Sequence, residues 1–196
     1  MANSEFARGL FPLRYRPDCV HAYRVNTATD VYLGMPVALD GNGEVAPLGV
    51  NTAGWAQALG VVVGFQTEPA GMAHELDPFL DVSDIPAGTI YSALVLDDPL
   101  AEYVCQEDTG GTALTQADAG TVAALIFLTG SGNTTTGWTN LMIDRSTVVT
   151  TTAGQVQLLR IHQQVQVDGT NNAPGNFCNW VVRLVGAQKI TGAVAI

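Results

Sequence analysis

Residues 92–108 read SALVLDDPLAEYVCQED. Five carboxylates (Asp97, Asp98, Glu102, Glu107, Asp108) and Cys105 fall within this one stretch. It is either a reactive site or two strands around an acidic turn. Two apolar runs, 92–96 and 101–106, flank Asp97-Asp98-Pro99. The residue before a proline is pushed out of the helical region, and acids ahead of proline are common turn chemistry. General acid–base catalysis needs carboxylates that converge in different environments, whereas neighbours on a strand point to opposite faces. Glu107-Asp108 can meet Asp97-Asp98 across a hairpin and hold calcium. Yet no D-x-D/N-x-D/N-G pattern preorganises the oxygens. The stretch therefore reads as strand, turn, strand. On that reading Asp97→Asn or Asp98→Asn costs about 1 kcal/mol or less, and Pro99→Gly about 1 kcal/mol or more.

The same pattern recurs on both sides. Residues 31–33 and 36–39, the turn Asp40-Gly41-Asn42-Gly43 and residues 44–48 read as strands joined by a tight hairpin, because Asp-Gly and Asn-Gly tolerate positive φ. Residues 59–65 (LGVVVGF) form a buried strand with glycines at its bends. Residues 66–88, rich in proline and acid, are a long connection, and 114–119 hold one helical turn capped by Thr115. Past the polar loop 129–137, strands are expected at 141–144, 156–167 and 180–185, with a Gly/Asn/Pro loop at 168–176. The fold class is all-β: a small barrel or sandwich-like core, an extended N-terminal arm at 1–24 and little helix. The remainder divides into β-rich parts at 25–70 and 71–196, separate or continuous with one another.

With 196 residues, 47% of them apolar, the chain can bury a core. Charge makes up only 13% and is unevenly spread. Through Arg24 there are four arginines against two acids. From Val25 to Asp144 there are 15 acids and no lysine or arginine; after that come four cations against Asp168. Such a middle section repels phosphate backbones, which argues against nucleic-acid binding. No apolar run approaches the roughly 20 residues of a membrane helix, and the start lacks the pattern of a signal peptide. Cys19, Cys105 and Cys178, odd in number and far apart, fit free thiols in a reducing cytosol.

The chemistry-bearing residues do not assemble into a motif. His21, His74 and His162 lie far apart, and nothing completes Cys19-Val20-His21 as a ligand set or a nucleophile. There is no phosphate-binding loop, nucleophile elbow or dinucleotide fingerprint. The expectation is no enzyme, no cofactor and no metal. What stands out is an arm mixing arginine with aromatics, on a body almost free of cations. Arginine and aromatic side chains carry most interface energy. Phe6, Arg8, Phe11, Arg14, Tyr15 and Arg16 are accordingly the candidate interaction residues, placed to dock on a larger assembly or a sister chain.

In this order the chain resembles the head decoration, or cement, proteins of tailed bacteriophages. The resemblance is carried by Met1-Ala2-Asn3 running into Phe11-Pro12-Leu13-Arg14, by residues 33–39 (LGMPVAL) and 59–65, and by the 92–108 stretch. Leu158-Leu159-Arg160-Ile161 and Asn179–Leu184 complete it. It implies a virion structural protein, made in the bacterial cytoplasm, that binds the outer surface of the capsid. Its partners would be the major capsid protein and its own copies, commonly as a homotrimer, and it would clamp capsomers without catalysis, nucleic-acid contact or membrane. Two alternatives stand beside it. One is a head-fibre or glycan-binding module using the loop 129–140 with Trp138; the other is a metal-dependent enzyme built on the 97–108 carboxylates.

Overall fold

A computed structural model of the chain describes residues 5, 7–25, 30–48, 58–68, 79–81, 90–149, 154–163 and 172–186. The protein is all-β. In chain order the strands are β1 (Phe11–Arg14), β2 (Val20–Arg24), β3 (Val31–Tyr32), β4 (Pro36–Leu39), β5 (Val45–Pro47), β6 (Gly60–Glu68) and β7 (Phe79–Leu80). There follow β8 (Ile90–Leu96), β9 (Glu102–Gln106), β10 (Val122–Gly132), β11 (Thr139–Val149), β12 (Val156–Ile161) and β13 (Asn179–Leu184). They build a six-stranded sheet in the order β1-β9-β13-β12-β10-β11, a five-stranded sheet β2-β8-β6-β4-β5, and the small pair β3-β7.

Both large sheets curl. In the six-stranded sheet Glu107, just past β9, bridges Ile143 of β11; in the five-stranded sheet Val25, just past β2, bridges Val45 of β5. The stretch 92–108 is the joint between the two sheets, since β8 belongs to one and β9 to the other. Buried residues alternate with half-buried ones along β8 and β9, and at the end of β8 Val95 and Leu96 are both buried, one on each face. On β8 and β6, Leu96 and Val61 pack into a core with Trp180, Tyr103 and Leu125. Their neighbours Val95 and Val62 face a second core with Val31, Val37 and Val45. Successive residues on a strand point to opposite sides, so one strand pair serves both cores. Of the two readings of 25–70 and 71–196, separate or continuous, the strand pairing fits the continuous one: β6 and β8, on either side of 70/71, pair along seven residues.

The expected hairpin is β4–β5, where the Asp40 carboxylate accepts from the Asn42 and Glu44 N–H groups and Gly43 takes φ +77°. At 116–118 a single 3-10 turn forms, and Asp118 accepts from the Thr115 N–H and hydroxyl. The 66–88 connection holds β7 and the end of β6, and the tail of the expected strand 156–167 lies outside the described residues beyond Gln163.

The arm expected at 1–24 requires correction over its described part. Residues 11–14 form an edge strand of the six-stranded sheet and residues 20–24 an edge strand of the five-stranded one. Leu10 is fully buried in the core. Gly9 (φ +63°) and Gly34 (φ +76°) sit back to back, and the Leu10 N–H donates to the Gly34 carbonyl at 3.0 Å. A Cβ on Gly9 would meet Thr139 and the Gly34 carbonyl, and one on Gly34 the Arg8 carbonyl. Only glycine permits that close approach. The segment shows no period because its two short strands serve different sheets and leave most of their side chains exposed.

Candidate functional site

The five carboxylates do not meet in one pocket. Asp97 and Asp98 are buried at the corner between the sheets. Asp97 accepts 2.6 Å from the Tyr23 hydroxyl and lies 3.1 Å from Nδ1 of His21, which is half-exposed. Asp98 accepts from the Arg16 and Leu100 N–H groups, both at 3.0 Å, and faces Arg16 Nε at 3.6 Å. Burial alone would raise the Asp98 pKa, but those two N–H donors and the guanidinium hold it below the usual carboxylate range. Each group is turned toward a protein donor, so the pair acts as a clamp. It ties β2 and the end of β1 to the β8–β9 corner.

Glu107 and Asp108 lie at the other end of β9. Glu107 is fully enclosed; it accepts 3.0 Å from the Trp180 indole N–H and pairs with Arg145 Nη1 at 3.3 Å. Glu102 sits on the outer face opposite Arg14 and bonds Arg160 at 2.9 Å. Among the described residues no three His, Cys, Asp or Glu side chains gather as metal ligands do.

The three thiols are free and buried. Burial pushes Cys105 up to about 12, and burial with the charge of Glu107 does the same to Cys178. Such thiols are poor nucleophiles at neutral pH. Cys19 accepts from Arg16 Nη2 at 3.1 Å.

Most of the predicted interaction residues come together. Phe11, Arg14, Tyr15 and Arg16 line one edge of the six-stranded sheet; Arg8 is exposed beyond the Gly9 bend, and Phe6 lies outside the described residues. Five large apolar side chains are exposed among the described residues. Four of them are here: Phe11 (40%), Leu13 (41%), Tyr15 (46%) and Leu100 (64%). Leu100 joins the group because Asp98 bonds its N–H and that of Arg16 together. Leu13 is the extra residue of a β-bulge, since Pro12 and Arg14 face the consecutive residues Tyr103 and Glu102. Phe11 packs on Trp138 at a ring-centroid distance of 5.6 Å, so the Trp138 ring of the supposed glycan loop already has a partner within the chain. Leu13, Leu100 and the buried Arg145–Glu107–Trp180 contact were not visible in the sequence. Only the surplus of apolar residues between Arg8 and Arg16 hinted at the first.

The edge that results carries exposed apolar side chains beside Arg14 and Arg16, on a chain of net charge −10. No family model, curated protein or solved structure matches this chain.

Proposed function

We propose that the protein is a non-catalytic structural component of a phage virion, binding the outer surface of the capsid and clamping neighbouring capsomers. The observation that carries this reading is the edge formed by Phe11, Leu13, Tyr15, Leu100, Arg14 and Arg16. Monomers seldom leave large apolar side chains clustered in the open, and such clusters mark protein-binding surfaces. Cations beside them on an acidic chain favour an acidic partner surface and repel like-charged ones. The partners on this reading are the major capsid protein and further copies of the chain, as a homotrimer. No cofactor, nucleic acid or membrane takes part.

The test uses shells assembled from the capsid protein encoded beside this chain. A variant with Leu13→Ser, Arg14→Ser and Tyr15→Ser should keep its melting temperature within about 3 °C, since these side chains are exposed, and lose at least tenfold in shell occupancy by co-sedimentation. Occupancy equal to wild type would overturn the assignment of this edge. Wild-type protein that never binds the shells would overturn the function. Light scattering of the free and shell-bound protein reads the oligomer.

A further inference from the structure

The six-stranded sheet closes on itself in an unusual way. Along β9–β13 the strands share a regular ladder, and along β12–β13 a ladder with one register shift between Leu158 and Arg160. At the seam between the end of β9 and β11 there is one bridge, Glu107 to Ile143, with the Asp108 N–H donating to the Ile143 carbonyl at 3.0 Å. Side chains supply the rest. Arg145 of β11 donates to the carbonyls of Gly110 and Thr109, both at 2.6 Å, to Asn176 Oδ1 at 3.0 Å and to Glu107 at 3.3 Å. One buried guanidinium thus fastens β11, the turn after β9 and the loop before β13.

The charges at this seam do not balance. Glu107, Asp108 and Asp144 are all buried, and Arg145 is the cation among them. The groups facing Glu107 are Arg145 from β11, Trp180 from β13, Cys178 from the loop before β13 and the Leu114 N–H. Asp108 lies next in sequence, 3.8 Å from Arg145 Nε, and Asp144 faces Asp108. With all three acids ionised the cluster holds an excess of negative charge out of water. The least costly relief is a proton on the most enclosed carboxylate.

We propose that the β9–β11 seam is a proton-sensitive closure: it holds most tightly with Glu107 protonated and opens more readily once Glu107 is ionised. Burial pushes Glu107 up to about 7, against the opposing pull of Trp180 and Arg145, and burial also pushes Asp108 up. Opening the seam returns Glu107 to water, where it ionises near 4.5. Opening therefore releases a proton, and its equilibrium constant rises by up to about tenfold per pH unit between those values. Mildly acidic solution keeps the seam shut, and neutral solution loosens it.

Amide hydrogen exchange at pH 5.5 and 7.5 reads the seam, with protection factors corrected for the intrinsic rate. Protection at Asp108, whose N–H donates to the Ile143 carbonyl across the seam, should fall about twentyfold across that interval, while protection at Val182, inside the ladders, stays level. Glu107→Gln, a neutral mimic of the protonated acid, should abolish the fall and leave seam protection at pH 7.5 at or above the wild-type value. A simple structural ion pair predicts the reverse, a looser seam in the Gln variant, and that result overturns the proposal. If the variant does not fold, a carboxyl-carbon NMR titration of wild-type Glu107 decides. A midpoint near neutrality supports the closure, and one at or below 4.5 overturns it.

Discussion

Replacing Asp98 with asparagine tests whether the corner is a clamp or an ordinary turn. The carboxylate is buried and accepts two backbone N–H groups at 3.0 Å, from Arg16 and Leu100. An amide keeps one oxygen, which can stay on Leu100 two residues ahead. Its NH2 group is then set against the Arg16 N–H, donor against donor. The loss is one hydrogen bond to a charged acceptor, about 1.5–3 kcal/mol. The Arg16 side chain adds little, since it is 63% exposed. Asp98→Asn should therefore cost about 2 kcal/mol, or roughly 4–8 °C of melting temperature for a chain of this size. Asp97→Asn should cost only about 1 kcal/mol, because the Tyr23 hydroxyl and the His21 ring can each exchange donor for acceptor. The pH dependence has a definite sign. A carboxylate held below its ordinary pKa stabilises the fold above the unfolded value of about 3.8 and loses that contribution as pH falls through the folded one. The gap between wild type and Asp98→Asn should thus be full at pH 7 and shrink below about pH 4. Urea unfolding followed by tryptophan fluorescence measures it. A cost under 0.5 kcal/mol at pH 7, or one smaller than that of Asp97→Asn, would refute the clamp.

Other outcomes are equally definite. Leu10→Ala should cost about 2–5 kcal/mol in a denaturant melt, because Leu10 is core; a free arm predicts no change. Gly9→Ala should cost about 3 kcal/mol or more, combining left-handed backbone with a clash against Thr139 and the Gly34 carbonyl. Gly43→Ala, with similar φ but open space around it, should cost only about 1 kcal/mol by the same melt. Native Cys105 and Cys178 should react with a thiol reagent at pH 7.5 on the order of a thousandfold more slowly than after unfolding in urea. A fast native reaction would show that these thiols are not enclosed.

The sequence displayed the parts of the fold where a local rule and the tertiary structure agree. Asp40-Gly41-Asn42-Gly43 marks a hairpin because its turn chemistry is self-contained. Residues 59–65 and 92–96 announce buried strands because they are apolar on both faces, each serving two cores. β1 and β2 carry no such signal for the opposite reason. They are short edges with exposed side chains, and their anchoring lies at distant partners: Gly34, Thr139, Glu102 and Ser92–Leu96. The bond from the Arg16 N–H to Asp98, which sets the cost expected of Asp98→Asn, is likewise invisible in the sequence, because Arg16 lies 82 residues away. The seam is the least legible of all. Glu107 looks like any acid after a strand; the β9–β13 ladder brings Trp180 to it, and the closing of the sheet brings Arg145.

That residues 11–16 are a strand, β1, and its anchored continuation, not a loose arm, also decides how they can bind. A free arm must be ordered on its partner, at roughly 1–2 kcal/mol per residue for the backbone alone. β1 is already ordered by β9 and by the Asp98 bond to Arg16, so that cost is met in folding and the surface docks preorganised. Edge strands commonly recruit partners by extending the sheet, but this one is poorly suited to it. Pro12 lacks an N–H, and the bulge at Leu13 breaks the regular spacing of backbone groups. Side chains, not the backbone ladder, must then do the recognising. Two consequences separate this from strand addition. Making the edge a better ladder with Pro12→Val should leave partner binding unchanged, while Arg14→Lys should weaken it severalfold, since a lysine cannot reproduce the planar fork of arginine. If Pro12→Val instead strengthens binding and Arg14→Lys leaves it untouched, the edge works by its backbone.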